Sequence, residues 1–194
     1  MDLDNDFQEL LTTVRVFENF QRPWLISGGW ALDLFLQKRT RTHKDIDIGI
    51  FRKDQTHLRE YLKTWRLQKV VDGKLEDWSS GESLALPVHE IHGKSDCGTT
   101  SLEVLLQESD RERWIFRRET SITRDLDSAL SKISGISYLS PEIVLLFKAK
   151  NTRPVDEEDF LAALPHLSNN QRAWLQNALE VCHPEHHWLE KVQT

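Results

Sequence analysis

The sequence predicts an α+β protein, a strand-rich module followed by a small helical region. Three observations carry that reading. Short apolar or alternating runs between polar turns dominate up to about residue 125, and helical spacing takes over after about residue 140. Between them, "SGISYLSP" joins a glycine turn to a Ser-Pro helix start. The division falls between residues 1–135 and 136–194.

Each element follows from its pattern. "DFQELLTTVRVFENF" repeats apolar residues at Phe7, Leu10, Leu11, Val14, Phe17 and Phe20, the spacing of an amphipathic helix closed by Pro23. "WLIS" reads as a short buried strand, and after Gly28-Gly29 the stretch "WALDLFLQK" reads as a helix with Ala31, Leu34 and Phe35 inward. "RTRTHK" is a basic turn, "DIDIGIF" an alternating strand and "QTHLREYLKTW" a helix. Strands follow in "LQKVV", "LALPVHEIHG", with a breaker at Pro87, and "SLEVLLQES"; "RWIFRRE" reads as a strand and "SITRDLDSAL" as a loop. "SYLSPEIVLLFKAKNT" opens the helical region with Ser140 as N-cap and Pro141 at the first helical position. "VDEEDFLAALPHL" and "NNQRAWLQNALEVC" supply further helices.

Composition narrows the function. The chain has 194 residues, 39% hydrophobic and 29% charged, with no apolar run of transmembrane length and an acidic start, "MDLDNDFQELL". These features predict a cytoplasmic protein with no membrane partner. A net charge of −6 argues against gripping duplex nucleic acid, which needs a basic face. Two cysteines, Cys97 and Cys182, stand too far apart in sequence for a redox or metal motif, and a disulfide is not expected. Most of the seven tryptophans are expected to pack the core, with Trp78 fitting either a stacking platform or a core cover.

The chemistry concentrates in "TRTHKDIDIGIF". Side chains two apart on a strand share a face, so Asp45 and Asp47 point together, opposite the isoleucines. Two adjacent carboxylates repel unless one is protonated or a cation lies between them. Magnesium, which takes oxygen ligands, is such a cation. On spacing alone, acids facing water from a half-exposed strand fit better. Gly49 is expected to leave room beside the pair. Two neighbours shift the balance. "ISGGWALDLF" puts a Gly-Gly step at a helix start, where Ser27, Gly28 and Gly29 are placed to meet phosphate oxygens. "SLEVLLQES" sets a lone acid, Glu103, in an apolar strand, where burial demands a partner.

These segments together resemble the DNA-polymerase-β-like nucleotidyltransferase superfamily. Within it, "SGGWALDLFL", "RTHKDIDIGIFR", "PVHEIH", "LEVLLQES", "WIFRRE" and "PEIVLLFKAKNTRPVDEEDF" look like the aminoglycoside 2″-adenylyltransferase and lincosamide nucleotidyltransferase branch. The resemblance implies a mixed sheet flanked by helices. It implies transfer of a nucleoside monophosphate from a nucleoside triphosphate, ATP above all, to a hydroxyl of a small molecule, with release of pyrophosphate. Asp45 and Asp47 match the metal-binding pair, which would hold two magnesium ions. Glu103 matches the third, catalytic carboxylate, with glutamate where the superfamily commonly has aspartate. Ser27, Gly28 and Gly29 match the nucleotide-binding step, and Lys148 a triphosphate contact. Two other readings stay open: transfer to tRNA or protein, and a non-catalytic nucleotide-binding descendant.

Weaker candidates remain. Lys148 and Lys150 diverge on a helix, so only one is expected to face a given site. Arg41 and Lys44 fit phosphate partners or plain surface, and Arg117 and Arg118 fit pairing with Glu103 or binding of phosphate. His89 and His92 fall on opposite strand faces and chelate poorly, and His89 fits a substrate contact better than a metal ligand. "CHPEHHW" resembles a zinc cluster only on paper. Glu76, Asp77 and Glu82 fit either attraction of a polycationic acceptor or simple solvation.

Overall fold

The computed structural model describes residues 5–96, 98 and 100–193; Cys97 lies outside them, and with it any pairing to Cys182. Ten strands form one mixed sheet: β1 (Trp24–Ile26), β2 (Asp47–Phe51), β3 (Arg66–Val71), β4 (Lys74–Asp77), β5 (Glu90–Lys94), β6 (Ser101–Asp110), β7 (Arg113–Ile115), β8 (Thr123–Asp125), β9 (Leu130–Ile133) and β10 (Ile136–Leu139). The helices are α1 (Gln8–Val16), α2 (Gly28–Leu36), α3 (Gln55–Tyr61), α4 (Leu126–Ala129), α5 (Pro141–Ala149), α6 (Pro154–Ala163), α7 (Asn169–Cys182) and α8 (Trp188–Val192). None is long and apolar enough to cross a membrane.

The main strand order is β4-β3-β5-β6-β2-β1-β10-β9, with β7 and β8 added beyond the far end of β6. β2 runs antiparallel to β1 and parallel to β6, while β10 runs parallel to β1. The sheet therefore continues to Leu139, and the helical region starts at Pro141. β9 and β10 form a hairpin around Ser134-Gly135, both at positive φ. "SITRDLDSAL", expected as a loop, instead contributes β8, α4 and the start of β9. The sequence reading also joined "SYL" to the helical segment, whereas Ser137–Leu139 close the last strand.

Alternation places the core as expected. Ile48, Ile50, Leu102, Val104, Leu106 and Ile91 are buried on one side of the central strands. Trp30, Trp78, Trp114 and Trp188 are each at most 2% exposed, so these four are packing residues. Trp78, weighed as a stacking platform, donates its indole N–H to the Glu82 carbonyl and belongs to the core. Ser140 precedes α5 as its N-cap residue, but its hydroxyl donates to the Ser128 carbonyl at 2.9 Å instead of capping the helix.

Gly49 has a different role from the one its position suggested. A Cβ there would stand 2.6 Å from Leu25 Cδ1, so the missing side chain makes room for Leu25. It opens no space for a ligand.

Candidate active site

β1 and α2 build the first wall. Ser27 follows β1 as the N-cap residue of α2, and its N–H donates to the Asp47 carbonyl at 2.8 Å. α2 then begins at Gly28, whose φ of +59° suits glycine. A Cβ on Gly28 would overlap the Asp47 carboxylate, and one on Gly29 would meet His43 Nδ1 at 2.5 Å. The backbone and the Asp47 and His43 side chains thus approach closely because both glycines lack a side chain. The first N–H groups of α2 have no intrahelical acceptor, a disposition that suits an anion.

β2 and β6 build the second wall. Asp47 opens β2 and lies directly opposite Glu103 of β6 in the parallel register, so the two side chains leave the sheet on one face. Asp45 precedes the strand, yet its carboxylate joins theirs: oxygens of Asp45, Asp47 and Glu103 lie within 4.8 Å of one another. The crowding shows in their chemistry. Burial, then the charges of Asp45 and Glu103, push Asp47 up to about 7, against the opposing pull of Lys148. Glu103 is also raised, by burial first and by Asp45 next. A cluster that resists its own ionisation fits a divalent cation, which would relieve the repulsion with oxygen ligands it prefers.

Cations surround the acids. A cavity of about 340 Å³ is lined by Gly28, Gly29, Asp45 and Asp47 together with Arg41, Lys44, Lys148 and Arg153. Lys148, on α5, bonds Asp156 at 2.7 Å and Asp159 at 2.9 Å, both on α6. Arg41 pairs with Asp159 through two bonds of 2.9 and 3.0 Å. The helical region is thereby fastened to the basic turn before Asp45. Lys148 and Lys150 both line a second cavity, against the expectation that only one would face a given site, although Lys150 keeps helical backbone angles as the C-cap of α5. That cavity, about 350 Å³, runs from Ser27, Gly28 and Asp47 past Leu105 and Gln107 to Arg117 and Phe147. Arg117 lies over the Phe147 ring at 4.4 Å and makes no ion pair with Glu103. Burial, then Arg118, lowers it to about 10.

A family model described as aminoglycoside-2″-adenylyltransferase matches residues 9–113, just over half of the chain. The chain belongs to that family. It is a nucleotidyltransferase, and the superfamily resemblance read from its motifs is shown. Solved structures agree in fold. ANT(2″)-Ia in complex with adenylyl-2″-tobramycin is 16% identical, with a TM-score of 0.59 over 92% of this chain and 99% of that one. The lincosamide adenylyltransferase LnuA, lincomycin-bound, is 18% identical, with a TM-score of 0.55 over 84% and 97%. A search of the curated proteins gave no match.

Several contributors to the site of this family member escaped the sequence reading. His92, not His89, faces the acids: it bonds Glu90 at 2.7 Å and stands 4.0 Å from Glu103. Its position across from Glu103 in the β5–β6 register was the missing signal. Asp33 is fully buried, accepts from Thr40 and bonds His43 Nε2 at 2.5 Å. His43 packs against Trp30 with the rings tilted by 34° and backs Gly29, so this network sets the path of the turn that delivers Asp45. The C-terminal histidines do not converge as a zinc site, since His187 pairs with Glu157 and His186 with Thr152.

Proposed function

We propose that this nucleotidyltransferase moves a nucleoside monophosphate from ATP to a hydroxyl of a small antibiotic-like acceptor, releasing pyrophosphate. The convergence of Asp45, Asp47 and Glu103 beside the glycine-opened start of α2 carries the reading. The family match supports it, since the family is described by adenylyl transfer to an aminoglycoside. A reaction fed by ATP suits the cytoplasm.

The chain's own groups divide the work. Gly28, Gly29 and Ser27 present the helix start to the phosphates. Arg41, Lys44, Lys148 and Arg153 line the same cavity and oppose the negative charge there. Arg117 and Phe147 form the far wall of the adjoining cavity, suited to the nucleoside. Asp45 and Asp47 would hold magnesium, two ions being expected. When bound, magnesium supplies neutralisation of the phosphates and of the charge gathering on the departing pyrophosphate. Glu103 takes the proton of the attacking hydroxyl; its raised affinity for a proton suits a general base.

The test is release of labelled pyrophosphate from ATP in the presence of magnesium and a panel of hydroxylated acceptors. Release that requires an acceptor and is lost in Asp45→Asn supports the reading. No release with any acceptor would overturn it.

A further inference from the structure

Asp45 and Glu103 also border a third cavity, of about 370 Å³, between the turn before β2, β5, the start of β6 and the β3–β4 hairpin. Asp45 lines both this cavity and the phosphate-suited one, whereas Glu103 lines this one and neither of the other two. An acceptor hydroxyl that gives its proton to Glu103 must therefore come from this side; the argument rests on the function proposed above.

The charge of its walls is the informative part. Lys44, Arg66 and Lys94 line it, with His92. Among the described residues, Lys44 and Lys94 have no carboxylate within ion-pair distance. The acids nearby are already engaged. Glu90 bonds His92, and Asp77 of β4 pairs with Arg66 at 3.4 Å. Glu82, weighed from the sequence as an attractor of polycations, pairs with Lys69. Asp45 is assigned to the cation, which leaves Glu103. Beside Gln68 and Ser101, the lining has an apolar part: Ile46, Leu75 and Leu102 face the cavity, and Leu75 is 51% exposed although it is a leucine.

We propose that this cavity seats the acceptor and selects a hydroxylated molecule with at most one positive charge and an apolar face, against polycations. A polycation entering here meets Lys94 and Lys44, neither held in an ion pair among the described residues, and repulsion of like charge is a means of excluding wrong partners. A singly charged acceptor uses Glu103 for its hydroxyl and Leu75 for its apolar part.

The experiment compares kcat/KM for two probes, lincomycin, with one basic nitrogen, and tobramycin, with several, in the full chain and in Lys44→Glu/Lys94→Glu. Circular dichroism checks that the variant is folded, and Leu75→Ser serves as a second variant of separate chemistry. The expected result is at least a tenfold preference for lincomycin in the unmodified chain, a shift of at least tenfold toward tobramycin in the double variant, and loss of lincomycin turnover in Leu75→Ser. A native preference for tobramycin, or a ratio that the charge reversal does not move, would overturn this inference and leave nucleotidyl transfer intact. No transfer to any hydroxyl would overturn the proposed function and this inference with it.

Discussion

Gly28 gives up the space that the Asp47 carboxylate fills. Its φ is +59°, and a Cβ on it would overlap Asp47 Oδ2. Gly28→Ala is therefore expected to be folded, destabilised by ~1 kcal/mol or more from the left-handed backbone alone, and to lose at least 100-fold in transfer as Asp47 is pushed aside. Thermal melts and the transfer assay check both parts, and a fully active Gly28→Ala would show that Asp47 does not need that place.

Asp47 makes stability depend on pH in the metal-free protein. It holds its proton up to about 7 when folded and releases it near 3.8 when unfolded. Above about pH 4 the folded state binds more protons, so its contribution falls as pH rises and is lost through pH 7. Asp47→Asn is expected to unfold later in urea than the unmodified chain at pH 8 in chelator, by up to ~4 kcal/mol, with the gap closing toward pH 4. The same variant is expected to lose transfer.

Glu103→Gln keeps the shape of the side chain and removes the base. A fall in kcat of ~10²–10⁴ with little change in KM for ATP is expected. Because Glu103 is raised by burial and by Asp45, the acid limb of the pH–rate profile is expected above the usual carboxylate range and absent from the variant. Unchanged turnover would remove Glu103 from the proton transfer.

Asp159 joins two cations, Arg41 and Lys148, and the hydrogen bonds and charge of that pair hold its carboxyl below the usual range despite burial. A depressed carboxyl contributes stability above its unfolded value and loses it as pH falls. Asp159→Asn leaves both cations short of a partner and is expected to cost about 3 kcal/mol at pH 7. Denaturant titrations are expected to show that cost shrinking below about pH 4, together with a raised KM for ATP as Lys148 and the turn loosen.

The legible part of this protein is its local pattern. Gly28-Gly29 before a helix, Asp45 and Asp47 two apart, and Glu103 among leucines are short-range signals, and all converge in space. What joins them is long-range and left no periodicity to read. Arg41 and Asp159 are separated by 118 residues. His92 meets Glu103 through strand register, which depends on which strands pair. The β9–β10 hairpin was legible, with "LSKISGISYL" alternating about a Ser-Gly turn, but the Ser-Pro helix start just beyond it dominated the reading. Gly49 was misjudged because sequence shows that a side chain is missing and not which neighbour takes the space.

The bond between Arg41 and Asp159 also bears on how such a chain can change. The segment matched by the family model ends at residue 113 and holds every acid of the trio, but neither Lys148 nor the carboxylates that anchor it. β10, the parallel neighbour of β1, also lies outside it. Recombination between relatives at that point would import a new helical half against an old turn, and a mismatched pair would leave a buried charge alone. Halves that travel separately must therefore carry compatible residues at positions 41 and 159, which makes this pair a marker for which hybrids survive.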